Sequence, residues 1–192
     1  MRDNIVSPGA HLLSSWLVAN SLIPSQRERR IVTLAGLAPD IDAIGWLADR
    51  ANLWNGSVSD YYFQYHHLFG HNLVAGIAIS AIASMIATTR RLLVFGLSMA
   101  VFHLHLLCDL AGSRGPDGYQ WPIHYLYPFY PDYEWTWSGQ WELSGWQNIT
   151  ITLTMLAIAM AWAWKQRYSF VQVISARLDR EFFNMLDRYG IS

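Results

Sequence analysis

Three long apolar stretches of this 192-residue chain carry no Asp, Glu, Lys or Arg and no Pro: Asn72–Thr89 (18 residues), Leu92–Cys108 (17) and Leu143–Trp164 (22). A spanning helix needs roughly 17–25 predominantly apolar residues, so all three are expected to span a membrane, the first two narrowly. Two shorter apolar pieces, His11–Ile23 and Ile31–Ala38, come before them, with Pro24 and Pro39 at their ends. Proline cannot continue a helix, and the shorter piece cannot span alone, so both read as half-helices packed against the longer ones. Charged residues make up 14% of the chain and hydrophobic residues 53%, with ten Trp, ten Tyr and eight Phe. An ordinary charged share is about 25%, so the composition points to a membrane or membrane-surface protein. The formal net charge of −1 supplies no basic face, and nucleic acid is not expected as a partner. The length suits one domain, and the single Cys108 excludes an internal disulfide. The uncharged N-terminal stretch is broken early by Pro8, Gly9 and His11, so it reads as part of the mature fold rather than a secretory signal.

Charge placement predicts the topology. Arg27, Glu28, Arg29 and Arg30 separate the two short pieces, Arg90 and Arg91 separate the first two long ones, and Lys165 and Arg167 follow the last. If each piece is a helix and neighbours run antiparallel, these basic turns share one end. The other end then collects His11, Asp40, Asp42, His66, His67, His71, His105 and Asp109. On that layout the histidine end has three basic residues (Arg2, Arg50 and Arg114) against ten acidic, and the far end has ten against four. The expected architecture is an all-α, membrane-associated helical bundle with a metal site at one end. A metal-binding membrane domain covers 1–164, with an aromatic loop at 112–147. An amphipathic tail covers 165–192, where Val171, Ile174, Leu178, Phe182 and Met185 recur at helical spacing. The aromatic loop, rich in Trp and Tyr that favour a membrane–water interface, reads as an ordered loop over the bundle and as a lid over the site.

Imidazole and carboxylate are the usual donors for zinc and similar divalent ions. His105 and Asp109 lie four apart, on one face of a helix. His103 points away from them, and a lone His on an apolar helix is more often a satisfied core residue. His67 and His71 have the same four-residue spacing, while His66 could reach the site if the helix starts only near Gly70; residue spacing alone leaves that choice open. Asp40 and Asp42 follow Pro39, a helix stop, and one of them could bridge ions or position a histidine. Six or seven such ligands suit a two-metal cluster that activates water for a phosphoester-type displacement. Asp42 is a candidate general base and Arg114 a candidate holder of an anionic substrate group. His124 is a weaker candidate for a further ligand or an acid.

The order of "AH", "LAPDID", "HHLFGH" and "HLLCDL", followed by a Gly-Pro-rich stretch and "YPF", resembles the inner-membrane-associated metal-dependent hydrolases described as LexA-binding. The resemblance covers about residues 8–130. It implies the ligand set His11, Asp40, Asp42, His66, His71, His105 and Asp109, with His67 where the family has Arg, Leu68 where it has Gly and Asn72 where it has Ser. It further implies a divalent ion, zinc before manganese or iron, and hydrolysis of a phosphoester, lipid-like or other, through a metal-activated water. The expected setting is the bacterial inner (cytoplasmic) membrane, multi-pass or membrane-associated, with the bilayer and a small-molecule or lipid phosphoester as partners. A regulatory protein partner is implied by the resemblance alone. The positive-inside rule would put the basic turns in the cytoplasm. The rival readings are a non-catalytic membrane protein with a structural, sensing or transport metal site, and a membrane scaffold whose histidines are core residues. A haem-binding bundle is disfavoured by the accompanying carboxylates.

Overall fold

The computed structural model describes residues 8–115 and 117–190; Arg2, Pro116 and the outer ends of both expected domains lie outside them. Among the described residues the chain is all-α, with two isolated backbone bridges and no strand. Helix α1 (Pro8–Leu22) packs on α2 (Gln26–Ala35), and a 3₁₀ segment (Ala38–Ile44) leads into α3 (Gly45–Trp54) and the short α4 (Tyr61–Tyr65). Helices α5 (Leu73–Ile86) and α6 (Arg91–Gly112) form the most extensive helix pair, and α6 also lies against α1 and α2. Helix α7 (Trp146–Gln166) packs on α1, and α8 (Ala176–Arg188) follows a second 3₁₀ turn, Phe170–Val173.

The core away from the histidines is made mostly of small and β-branched residues, with one leucine: Ala19, Ile23, Val32, Ala35, Ala83, Ala87, Val94, Leu97 and Val101. Small side chains let the four helices approach closely. Gly36 marks the tightest crossing, because a Cβ there would stand 2.0 Å from Ser15 Oγ. A second cluster, built on Trp16 and Leu13, joins α1 to Ala159 of α7 and to Val173. A third buries Phe102 and Leu106 of α6 against Ile123 of the aromatic loop.

The spanning helices differ from expectation. Of the three uncharged runs, only α6, with 22 residues, is both long and apolar enough to cross a bilayer. Helix α5 stops at 14 residues because the chain before Leu73 is taken up by the histidine loop. Helix α7 has 21 residues, but Gln147, Asn148, Thr150, Thr152 and Thr154 dilute its apolar character. A second crossing is available only if α2 and the 38–54 segment, bent by 48° between them, count as one broken span. The tail differs as well. Its helix begins at Ala176 rather than near Tyr168, and Ile174, Leu178, Phe182 and Met185 face outward. Asp179 and Phe183 are the buried positions, because the Asp179 carboxylate accepts hydrogen bonds from the Ser169 backbone and hydroxyl.

Candidate metal centre

Four local structures end at one place. His11 lies in the first turn of α1, Asp40 and Asp42 in the 3₁₀ segment after α2, His66, His67 and His71 in the loop before α5, and His105 and Asp109 in the last turns of α6. Asn72 fixes the histidine loop. Its side chain caps α5 by accepting from Ala75 N at 2.8 Å, and donates to the carbonyls of Leu68 (2.8 Å) and Phe69 (3.0 Å). Gly70 passes so close to Pro39 that a Cβ would stand 2.1 Å from its carbonyl oxygen. That approach lets Gly70 N donate to Asp42 Oδ2 at 3.0 Å.

Asp42 holds the histidines from behind. Its Oδ1 accepts from His66 Nδ1 at 2.9 Å and its Oδ2 from His71 Nδ1 at 3.0 Å. His105 Nδ1 lies 2.8 Å from the Gly36 carbonyl, which can only accept, so that nitrogen carries the hydrogen. In neutral rings both His71 and His105 therefore present bare Nε2 lone pairs. These two lone pairs stand 3.2 Å apart. Asp109 Oδ2 is 3.1 Å from His105 Nε2 and 3.4 Å from His71 Nε2, yet it is buried with no aligned hydrogen bond. His67 Nε2 lies 3.9 Å from the same oxygen, His11 Nε2 3.3 Å from Asp109 Oδ1, and Asp40 Oδ1 3.4 Å from His105 Nε2.

Acceptors that converge in this way repel one another unless a cation sits between them. A tetrahedral ion with bonds of about 2.0–2.1 Å sets neighbouring donors about 3.3 Å apart, close to the spacings above. Three trios have donor atoms all within 4.8 Å of one another: His11, His105 and Asp109; Asp40, His71 and His105; His67, His71 and Asp109. Asp109 stands in two of the three trios, with Oδ1 3.3 Å from His11 Nε2 and Oδ2 within 3.4 Å of His71 and His105 Nε2. The donor set therefore fits a divalent ion or a pair of them. Without one, a proton takes the role at His71. Burial lowers its affinity for a proton, but its contacts with Asp109 and Asp42 raise the pKa to about 9. His67 goes the other way, pushed well below the ordinary value by burial and by the charges of His71 and His66, so it is neutral and ready to ligate.

The placement of each expected residue can be stated directly. His11, Asp40, His71, His105 and Asp109 come together in the trios. Asp42 lies behind them with both oxygens engaged. His66 is anchored by Asp42 and stacks on Tyr62 at 4.6 Å. His67, which the resemblance set aside, takes part in a trio, as the four-residue spacing to His71 allowed. Arg114 is anchored through its backbone, Arg114 N donating to Trp141 O and its carbonyl accepting from Leu143 N. His103 is satisfied between Met99 O and the Tyr125 hydroxyl, both at 2.8 Å. His124 lies in the aromatic loop beside Pro131 O and Glu134. That loop covers the cluster. Trp121 packs 5.4 Å from both His66 and His67, and Gln140 Nε2 donates to the Asp109 carbonyl at 3.0 Å. Sequence reasoning missed Tyr62, which Asp49 positions by capping the start of α4. Burial, with Asp40, Asp109 and Asp42 close by, raises the Tyr62 pKa to about 12.

His67 holds a left-handed backbone, φ 70°, which costs a non-glycine residue about 1–3 kcal/mol. Asn tolerates that region at least as well as His. His67→Asn should therefore match or exceed the thermal stability of the metal-free wild type by up to about 1 kcal/mol while losing metal affinity. Thermal unfolding beside a metal titration checks both halves, and wild-type metal affinity in the variant would remove His67 from the ligand set.

A model of the YdjM inner membrane protein family matches residues 7–178. The chain belongs to that family. The match takes in every residue of the cluster and runs past the aromatic loop into α8, well beyond the segment that carried the resemblance in the sequence. It sets the chain at the inner membrane, in keeping with the exposed apolar faces of α5 and α7 (Ile77, Ile82 and Met85; Ile151, Leu153 and Met160). No curated protein and no solved structure matches the chain at a significant level.

Proposed function

We propose that this YdjM-family protein is a membrane-associated, metal-dependent hydrolase of phosphoesters. One observation carries the reading: His71 Nε2, His105 Nε2 and Asp109 Oδ2 converge within 3.4 Å, while the Nδ1 atoms of both rings are engaged by Asp42 and the Gly36 carbonyl. Zinc suits the imidazole and carboxylate set first, with manganese or iron as alternatives. When bound, a divalent ion supplies a Lewis acid and activates water at neutral pH. The chain's own residues then orient the reaction. Asp42 and the Gly36 carbonyl fix the ring orientations of His66, His71 and His105. The Asp40 side chain, 28% exposed at the rim of the cluster, is the carboxylate placed to accept a proton from water, since both Asp42 oxygens are already engaged. The water oxygen bonds to phosphorus, the ester P–O bond breaks and the leaving oxygen takes up a proton. Trp121 and Tyr62 limit bulk water on the histidine-loop side.

The full chain, reconstituted with zinc or manganese, is expected to hydrolyse bis(p-nitrophenyl) phosphate, and chelation should abolish the activity. Asp40→Asn should lower kcat by about 10²–10⁴-fold, the range for losing a general base, with metal still held by the two trios that do not include Asp40. Full metal loading without turnover of any phosphoester would leave a structural, sensing or transport site instead.

A further inference from the structure

A groove of about 960 Å³ opens between the 3₁₀ segment with α3 on one side and α5 on the other. Ile44 and Leu47 form one wall, and Ala78 and Ile82 the other. Asp42 is the one charged residue in the lining, and it lies at the same end as Gly70, next in sequence to His71. Asp42 is also the residue bonded to His71 Nδ1 at 3.0 Å, so a single buried side chain stands between the end of the groove and the cluster. From Ala75 to Ile82 the α5 wall runs about 10 Å at 1.5 Å per residue, and the volume lies near the top of the roughly 300–1,000 Å³ typical of small-molecule sites. The rim is open to the side. Ile44 is 65% and Leu47 58% exposed, apolar surface of a kind that a membrane protein leaves to hydrocarbon.

We propose that this groove holds one hydrocarbon chain of an amphiphilic phosphoester whose phosphate lies at the histidine–aspartate cluster. The proposal rests on the metal-dependent phosphoester reading above and names the substrate class. A polar headgroup needs the cluster, and an apolar chain attached to it needs an apolar channel close by. The groove ends at Asp42 and Gly70, against the carboxylate bonded to His71. Burying hydrocarbon in it should raise affinity about three- to fourfold per methylene until the groove is filled.

The test uses the full chain loaded with zinc and held in amphipol, which avoids competing detergent. Native mass spectrometry measures binding of ethyl, hexyl and dodecyl phosphate to wild type, Ala78→Trp and Ala48→Trp. Ala78 and Ala48 are exposed on opposite walls, so an indole at either one fills the groove without displacing the core. Wild type should bind dodecyl phosphate at least about 100-fold more tightly than ethyl phosphate. Both variants should lose that gain while keeping wild-type affinity for ethyl phosphate and wild-type hydrolysis of bis(p-nitrophenyl) phosphate. A chain-length gain that survives both Trp substitutions, or no gain in wild type, would overturn the groove assignment even if hydrolysis is present. Chain-length selectivity lost in the variants, with no phosphoester turned over by any form, would keep the groove and sink the hydrolase reading alone.

Discussion

Asp109→Ala is expected to release the ion from the cluster, lowering metal affinity by more than about 100-fold, beyond the 10–100-fold typical of an outer-shell partner. Phosphoesterase activity should fall to background with it. The reason is position: Asp109 contributes to two of the three trios, and its oxygens face His11 on one side and His71 and His105 on the other. Chelated protein should lose stability as well. In metal-free protein Asp109 is the buried partner of His11, His71 and His105, and removing one partner of a buried pair costs about 3–5 kcal/mol. Asp109→Leu should therefore melt below chelated wild type. A variant that melts below chelated wild type yet keeps wild-type metal affinity would show that Asp109 holds the fold and not an ion.

Asp42→Ala should give a different balance. It removes the acceptor of His66 Nδ1, His71 Nδ1 and Gly70 N at one stroke, leaving buried donors unpaired. A cost of about 1–3 kcal/mol per orphaned group puts the loss of stability at several kcal/mol, visible in a denaturant or thermal melt. Metal affinity should drop by about 10–100-fold, less than for Asp109→Ala, because the coordinating nitrogens remain and only their orientation is lost. If Asp42→Ala abolishes metal binding as completely as Asp109→Ala does, Asp42 is a direct ligand and its place behind the rings is not its working position.

Much of this arrangement was legible in the residue order. Uncharged runs alternating with basic turns predicted antiparallel helices, and the same alternation put His11, Asp40, His71, His105 and Asp109 at a shared end. The i, i+4 spacing of His105 and Asp109 fixed their common face, and the satisfied environment of His103 follows from its offset. What was not legible depends on contacts made across the fold. The choice between His66 and His67 turns on a left-handed residue and on the Gly70–Pro39 approach, and no periodicity encodes either. Asp40 and Asp42 look equivalent in sequence. Only the 3₁₀ turn after Pro39 sets one at the rim and the other behind the rings. Tyr62 lay in a segment without a pattern, and it reaches the histidines because Asp49, twelve residues before Tyr61, caps α4. Span counting failed where apolar length and helix length separate: the run Asn72–Thr89 gives a 14-residue helix because Asn72 is spent as a cap and Ala87 ends the helix in an extended conformation.

The most direct test of the metal centre is elemental analysis of the purified full-length protein, after incubation with zinc, manganese and iron and removal of excess ion, beside Asp109→Ala and His103→Ala. One or two divalent ions per chain in wild type and His103→Ala, and none in Asp109→Ala, is the expected result. Metal-free wild type under all three ions, or equal metal in wild type and Asp109→Ala, would contradict a centre built on these residues.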